Sequence, residues 1–168
     1  MSHYIYCDTN IFGDCNSEYD IDGEKYVELL KLCFKYSSTF SFMIYGSNKR
    51  EVLKSIPEAL EVYEIEPEDY VIDNYMGYRE KIIKCYELCP EIFDVVLGMN
   101  DSIFKWINGK VKKPEDIAFY REDGSVFLSS VIHEGECSLF PSEDEDISSI
   151  LDLDNWYFVD DAKRWFKL

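Results

Sequence analysis

The sequence predicts an α+β fold with a mainly antiparallel sheet and helices packed on one face. Short runs of β-branched and aromatic residues alternate irregularly with amphipathic stretches, unlike the regular order of a parallel sheet. Asp123-Gly124 separates two such runs and is a strong β-hairpin signal. The chain has 168 residues, of which 46% are apolar, enough for the core of a single domain spanning residues 1–168.

Strand and helix candidates alternate in the first third of the chain. Residues 3–7 and 39–45 are short, apolar and aromatic, and we expect a strand in each. Residues 24–36 carry apolar side chains at helical spacing and predict an amphipathic helix. Asn48 is a candidate N-cap for a short helix that ends before Pro57.

Strands are also predicted in the middle of the chain. Residues 60–65 alternate imperfectly between apolar and acidic side chains, and residues 70–72 are apolar. In residues 79–88 a helix would scatter the apolar side chains around its circumference, whereas a strand separates them onto two faces. We therefore interpret all three segments as strands.

The last half of the chain predicts one long helix, a hairpin and a short acidic helix. Pro90 begins a helix whose apolar stripe ends near residues 108–109. Residues 116–121 and 125–133 form the hairpin. Ser142 is a candidate N-cap, because the acidic residues after it suit the first turn of a helix. The tail then contains NWYFV, which is either a short terminal strand or a packed aromatic segment.

Charge narrows the classes of ligand. The chain has 17 basic and 34 acidic residues, a formal net charge of −17. Such a surface repels a phosphate backbone and an anionic membrane, so we expect no nucleic acid and no membrane as a ligand. A basic protein would be attracted and steered to it. The sequence does not indicate an oligomeric state.

The cysteines and the hydropathy pattern indicate a cytoplasmic protein. Six cysteines are scattered along the chain without a C-x-x-C pair, which favours reduced thiols over disulfides. There is no run of about 18 apolar residues and no secretory signal at the N-terminus.

The acidic residues are concentrated in two segments. Residues 122–162 contain twelve acids and residues 58–73 contain seven, with no Lys or Arg in either. The C-terminal segment also carries Trp156 and Tyr157, which either belong to the core or, if exposed, are of the type that dominates interface hot spots. We predict a partner-binding site there, formed by Glu143, Asp144, Glu145, Asp146, Asp152, Asp154 and Trp156.

Part of the chain resembles a known group of proteins. The resemblance begins at Met76-Gly77, continues through REKIIKCYEL and SIFKWI, and ends with KPEDIAFYREDGSVFLSSVIHEGEC. These motifs resemble small proteins of Gram-positive bacteria that are labelled as similar to stage III sporulation protein AH. The motifs that carry the resemblance span residues 76–137, in the central and C-terminal part of the chain. The resemblance implies a bacterial cytoplasm and supports the fold prediction, but it implies no catalytic residues.

An alternative hypothesis starts from the N-terminal YIYCDTNIFG, which looks like the opening of PIN-domain nucleases. In that interpretation Asp8 is the first acidic metal ligand, Glu51 the second, and Asp94 or Asp101 the third. Two-metal phosphoryl chemistry needs such clustered carboxylates. In a chain with 34 acids, however, plausible spacings arise by chance.

The neighbouring residues His133 and Glu134 are a further candidate, because Glu136 and Cys137 follow them closely and could be metal ligands. A zinc motif of the H-E-x-x-H type needs a second His, and position 137 is Cys. We therefore expect His133 to close a hairpin, with neither a metal nor another cofactor.

The sequence thus favours a non-enzymatic acidic protein-binding module. An inhibitor or an immunity-type protein that neutralises a basic partner fits this description. The alternative is a metal-dependent PIN-like nuclease.

Overall fold

The computed structural model describes residues 3–7, 20–77, 80–106, 112–151 and 156–159. Its strands are β1 (His3–Cys7), β2 (Thr39–Ile44), β3 (Glu64–Ile65), β4 (Ile82–Glu87), β5 (Glu115–Tyr120), β6 (Val126–Val131), β7 (Glu136–Leu139) and β8 (Trp156–Val159). Its α-helices are α1 (Gly23–Tyr36), α2 (Lys49–Ser55), α3 (Asp69–Asn74), α4 (Phe93–Met99) and α5 (Ser148–Leu151). Short 3₁₀ helices span Glu58–Tyr63, Pro90–Ile92, Ile103–Lys105 and Ile132–Glu134.

The strands form one sheet in the order β3-β4-β2-β5-β6-β7-β1-β8. Each neighbouring pair is antiparallel. All six residues of β2 are buried, because β2 lies between β4 and β5 and both of its faces are covered. The predicted α+β fold with a mainly antiparallel sheet is confirmed.

Most of the helical structure packs on one face of the sheet. Helices α1 and α4 lie there, joined by an edge-to-face contact of Phe34 and Phe93 with ring centroids 5.0 Å apart. Phe40 and Phe119 of neighbouring strands stack beneath them at 5.9 Å. This face carries the main hydrophobic core.

Helix α3 lies on the opposite face. Its residues Val71 and Tyr75, spaced i and i+4, pack with Met43, Cys85 and Tyr120 in a second, smaller core. The prediction of strands over residues 70–72 is therefore wrong.

Several predicted elements are confirmed. The strands predicted at residues 3–7, 39–45 and in the NWYFV segment appear as β1, β2 and β8, and residues 79–88 contain β4. The helix predicted over residues 24–36 is α1. The hairpin is β5–β6, closed by a bond from the Arg121 amide to the Ser125 carbonyl at 2.8 Å.

Other predicted elements are shorter than expected or differ in type. Residues 60–65 are mostly the end of a 3₁₀ helix, with a strand only at Glu64–Ile65. The helix predicted from Pro90 stops at Met99, because Asn100 is extended with φ −146° and ψ 160°. Residues 142–145 form a turn, and α5 begins only at Ser148.

The sequence pattern does not indicate strand β7. Gly135 follows the 3₁₀ helix Ile132–Glu134 with φ +68°, a left-handed conformation that glycine adopts without strain. The chain therefore reverses at Gly135 and pairs β7 back against β6. No helix in the described part of the chain is long and apolar enough to cross a membrane.

Candidate functional site

The predicted C-terminal site contains a carboxylate that is already engaged. Arg121 forms a two-pronged ion pair with Glu145, from Nε to Oε1 at 2.7 Å and from Nη2 to Oε2 at 2.5 Å. The same guanidinium donates to the carbonyls of Val126 and Phe140. Because the Arg121 and Glu145 side chains are only 14% and 8% exposed, the pair joins the β5–β6 hairpin to the following turn and is not available to a partner.

The remaining residues of this predicted site are dispersed. Glu143 and Asp144 are exposed, while Asp146 accepts hydrogen bonds from the amide and hydroxyl of Ser148. Trp156 is half-buried and packs against the main core. Asp152 and Asp154 lie outside the described residues.

The acids of the nuclease hypothesis are not brought together within the described residues. Glu51 is exposed on α2 and Asp94 is exposed on α4. Asp101 pairs with Lys105 at 2.8 Å. The described residues contain no group of three His, Cys, Asp or Glu side chains that could hold a metal ion. Asp8 lies outside the described residues.

His133 and Glu134 lie in the turn that connects β6 to β7, with His133 Nε2 3.8 Å from Glu134 Oε1. This position agrees with a residue that closes a hairpin. Both side chains line a cavity of about 360 Å³, together with the buried residues Tyr75, Asp116 and Ser130.

The buried polar groups of this cavity are engaged in holding the fold. Asp116 has φ +54°, a left-handed backbone that Asp tolerates better than most residues. Its Oδ1 accepts a bond from the Ile132 amide at 2.8 Å, and its amide donates to the Trp106 carbonyl at 3.1 Å. The Ser130 hydroxyl donates to the Ile117 carbonyl at 2.8 Å.

Tyr75 does not act as a base in this cavity. Burial raises the pKa of its hydroxyl well above the ordinary value, so the group stays protonated. It donates to the carbonyl of Asp116 at 2.7 Å. The cavity is therefore a polar junction between α3, β5 and the turn after β6.

A different surface combines exposed apolar and acidic side chains. Six large apolar side chains are exposed in the described part of the chain, and four of them lie within residues 58–76. They are Val62 at 83%, Met76 at 68%, Ile72 at 39% and Ile65 at 38% exposure. Clustered exposed apolar side chains mark interaction sites more often than single ones. We call residues 58–76 the acidic–apolar surface.

The carboxylates of this surface face solvent. All seven are exposed, namely Glu58, Glu61, Glu64, Glu66, Glu68, Asp69 and Asp73. Glu64 pairs with Lys84 of β4. Among the described residues the other six have no ion-pair partner. The negative charge of these six carboxylates can therefore attract a basic partner.

Three of the four exposed apolar residues, Ile65, Ile72 and Met76, belong to β3, to α3 or to the turn after α3, next to the smaller core. Ile65 belongs to the edge strand β3 and pairs with Cys85, which lies in the same small core as Val71 of α3. Ile72 and Met76 are spaced i and i+4, next to the buried pair Val71 and Tyr75. The run of acids in residues 58–73 is visible in the sequence, but the exposure of the apolar side chains is not, because it depends on which side of each segment packs against the sheet.

Comparison of the chain with protein-family models, with curated proteins and with solved structures finds no match. The resemblance to proteins labelled as similar to stage III sporulation protein AH therefore stays a prediction.

Proposed function

We propose that this chain is an acidic protein-binding module that neutralises a basic partner in a cytoplasm, in the manner of an inhibitor or an immunity-type protein. The observation that carries the proposal is the acidic–apolar surface. Within one segment it exposes four large apolar side chains and seven carboxylates, without a Lys or Arg.

The two kinds of side chain have separate roles in this proposal. The carboxylates speed the approach of a basic protein and select it over acidic ones. The apolar side chains supply affinity, since full burial of one large apolar side chain contributes about 1.5–3 kcal/mol. Val62 and Met76 have the most surface to bury and are the proposed anchors.

The proposal places the partner site on residues 58–76 and not on the C-terminal acids predicted from the sequence. Glu145 is held by Arg121, and Trp156 is half-buried against the core. Of the four acids of that predicted site that the structure describes, Glu143, Asp144 and Asp146 are exposed.

A defined probe tests the proposal. The probe is a fluorescent amphipathic peptide of leucine and lysine, and its control has glutamate in place of lysine. We expect the full chain to bind the lysine peptide alone, with affinity falling about tenfold between 50 and 300 mM salt as charges are screened. Equal binding of both peptides, or no binding, would refute the proposal.

Matched variants locate the site. Val62→Ser with Met76→Ser is expected to weaken binding at least about tenfold, because both anchors are lost. Leu53→Ser is the control, since Leu53 is exposed on α2 outside this surface. Glu66→Gln with Asp73→Asn should weaken binding more than Glu143→Gln with Asp144→Asn. The reverse order would return the site to the C-terminal acids.

A further inference from the structure

Helix α3 and the turn after it carry one outward stripe in which acidic and apolar side chains alternate. The stripe consists of Asp69, Ile72, Asp73 and Met76, which follow the helical spacing i, i+3, i+4 and i+7. All four residues are exposed, whereas Val71 on the other side of the helix is fully buried. This part of the acidic–apolar surface is therefore a ridge along a helix.

The inner side of α3 is fastened to the sheet. The ring of Tyr70 packs against the ring of Tyr120, with centroids 5.3 Å apart. The side-chain oxygen of Asn74 accepts a hydrogen bond of 3.1 Å from the hydroxyl of Ser129, and Tyr75 is buried between them and the sheet core. These contacts hold the outward stripe in place before a partner arrives, which lowers the entropic cost of binding there.

The backbone hydrogen bonds of α3 run along its own axis. The Ile72 amide donates to the Glu68 carbonyl at 3.1 Å, and the Met76 amide donates to the Asp73 carbonyl at 3.2 Å. An extended segment laid across α3 would bury its own amides and carbonyls without a partner, whereas a helix satisfies these groups internally. The element that fits the stripe is therefore a helix.

The charge of the stripe selects the kind of helix. Asp69 and Asp73 have no ion-pair partner among the described residues. The exposed Glu66 and Glu68 extend the negative charge ahead of α3. A helix with Lys or Arg beside its apolar side chains would be attracted, whereas an acidic helix or the α3 of a second copy would be repelled.

We propose that α3 and the turn after it bind a basic amphipathic helix of the partner. The apolar side chains of that helix pack on Ile72 and Met76, and its Lys or Arg side chains pair with Asp69 and Asp73. Recognition of amphipathic helices commonly uses apolar anchors at the spacing i, i+3 and i+4, which the stripe also has. This inference rests on the function proposed above and names the element of the partner that is recognised.

Two fluorescent peptides of equal length and equal leucine and lysine content test this inference. The helical peptide has leucine at i, i+3, i+4 and i+7, and the strand peptide alternates leucine with lysine. We expect the full chain to bind the helical peptide at least about tenfold more tightly, because a helix keeps its backbone groups satisfied on α3. Circular dichroism of the complex should show more helix than the sum of the separate components.

Variants of the full chain locate the bound helix. Ile72→Ser should weaken binding of the helical peptide about fivefold, because an apolar contact is lost. Asp69→Asn with Asp73→Asn should weaken it by a similar factor and reduce its dependence on salt. Glu58→Gln with Glu61→Gln is the matched control, because both acids are exposed on the 3₁₀ helix before β3 and lie outside α3, and its effect should be clearly smaller.

The outcomes distinguish this inference from the proposed function. Equal binding of the two peptides, or a complex without added helix, would overturn the helix inference and leave the acidic binding module in place. The same follows if Glu58→Gln with Glu61→Gln weakens binding while Ile72→Ser and the aspartate variant do not, since the peptide would then lie elsewhere on the surface. Binding of neither peptide would refute the inference and the proposed function together.

Discussion

The hydroxyl of Tyr75 donates a 2.7 Å hydrogen bond to the main-chain carbonyl of Asp116. This bond connects the end of α3 to a residue of β5 whose backbone is left-handed. The same hydroxyl lies 2.9 Å from Ser41 Oγ, which bonds Tyr120 Oη at 3.1 Å. A chain of buried hydroxyls therefore connects α3 to β2 and β5. This network explains why a six-residue helix stays on the second face of the sheet.

The first prediction removes this anchor. Tyr75→Phe leaves the Asp116 carbonyl and the Ser41 hydroxyl short of a partner in a buried site, so we expect the free energy of unfolding to fall by about 1–3 kcal/mol. Urea denaturation measures the change. The double variant with Ser41→Ala should lose less than the sum of the two single variants, because both belong to one network. Strict additivity would contradict the network.

The second prediction concerns the left-handed backbone of Asp116. Asp116→Asn keeps an acceptor for the Ile132 amide and tolerates φ +54°, so it should destabilise least. Asp116→Gly relieves the backbone strain but loses the acceptor. Asp116→Ala keeps the strained left-handed backbone and also loses the acceptor for the Ile132 amide. Together these should lower the free energy of unfolding by about 2–4 kcal/mol. The order Asn, Gly, Ala in chemical denaturation is the test, and an Ala variant more stable than the Gly variant would refute it.

The third prediction contrasts two glycines. Gly124 closes the hairpin with φ +81°, and a Cβ there would lie 2.8 Å from Cδ1 of Tyr70. Gly124→Ala should therefore lower the melting temperature. Gly98 lies exposed in α4 with no atom within 4 Å of an added Cβ, so Gly98→Ala should raise helix stability by about 0.5–1 kcal/mol. Shifts of the same sign in both variants would contradict this explanation.

The elements that the sequence predicted correctly are those whose local pattern and tertiary role agree. Residues 82–87 separate their apolar side chains onto two faces because β4 is covered on both. Residues 70–72 look like a strand, but Val71 must point at the sheet while Ile72 points away, which a helix also permits. A run of three residues cannot distinguish these cases.

The sequence predicts the acidic composition of the candidate site, but it does not predict which of the acids are held by contacts with distant residues. The acids of residues 58–73 are a property of composition and are visible without a fold. The engagement of Glu145 depends on Arg121, 24 residues away, which reaches it only because the β5–β6 hairpin folds back. Contacts between distant residues of this kind have no local signature.

The fourth prediction follows from the Arg121–Glu145 pair. Burial alone would raise the pKa of Glu145, but hydrogen bonds from Arg121 and from the Ser142 amide outweigh it and hold the pKa below its ordinary value. A carboxylate with a lowered pKa stabilises the fold above its unfolded pKa of about 4.3, and the contribution disappears as the pH falls through the folded value.

Unfolding in urea between pH 7 and pH 3 measures this effect. Glu145→Gln should lower the free energy of unfolding by about 1–3 kcal/mol at pH 7 and by clearly less at pH 3. Glu143→Gln is the matched control, because Glu143 is exposed and has no ion-pair partner among the described residues, and its effect should be small at both pH values. A pH-independent loss in Glu145→Gln would show that the pair is not ionic.

The fifth prediction concerns thiol reactivity. Cys33, Cys85 and Cys137 are buried, whereas Cys89 is half-buried. Burial raises the pKa of the Cys85 thiol to about 11, which leaves about one molecule in a thousand as the reactive thiolate at pH 8. In a variant with Cys7→Ser and Cys15→Ser, Ellman's reagent should therefore modify Cys89 rapidly and the other three only on the timescale of unfolding. In urea all four thiols should react at once. Rapid labelling of a second thiol in the native chain would contradict the prediction, because it would show that Cys33, Cys85 or Cys137 is open to solvent.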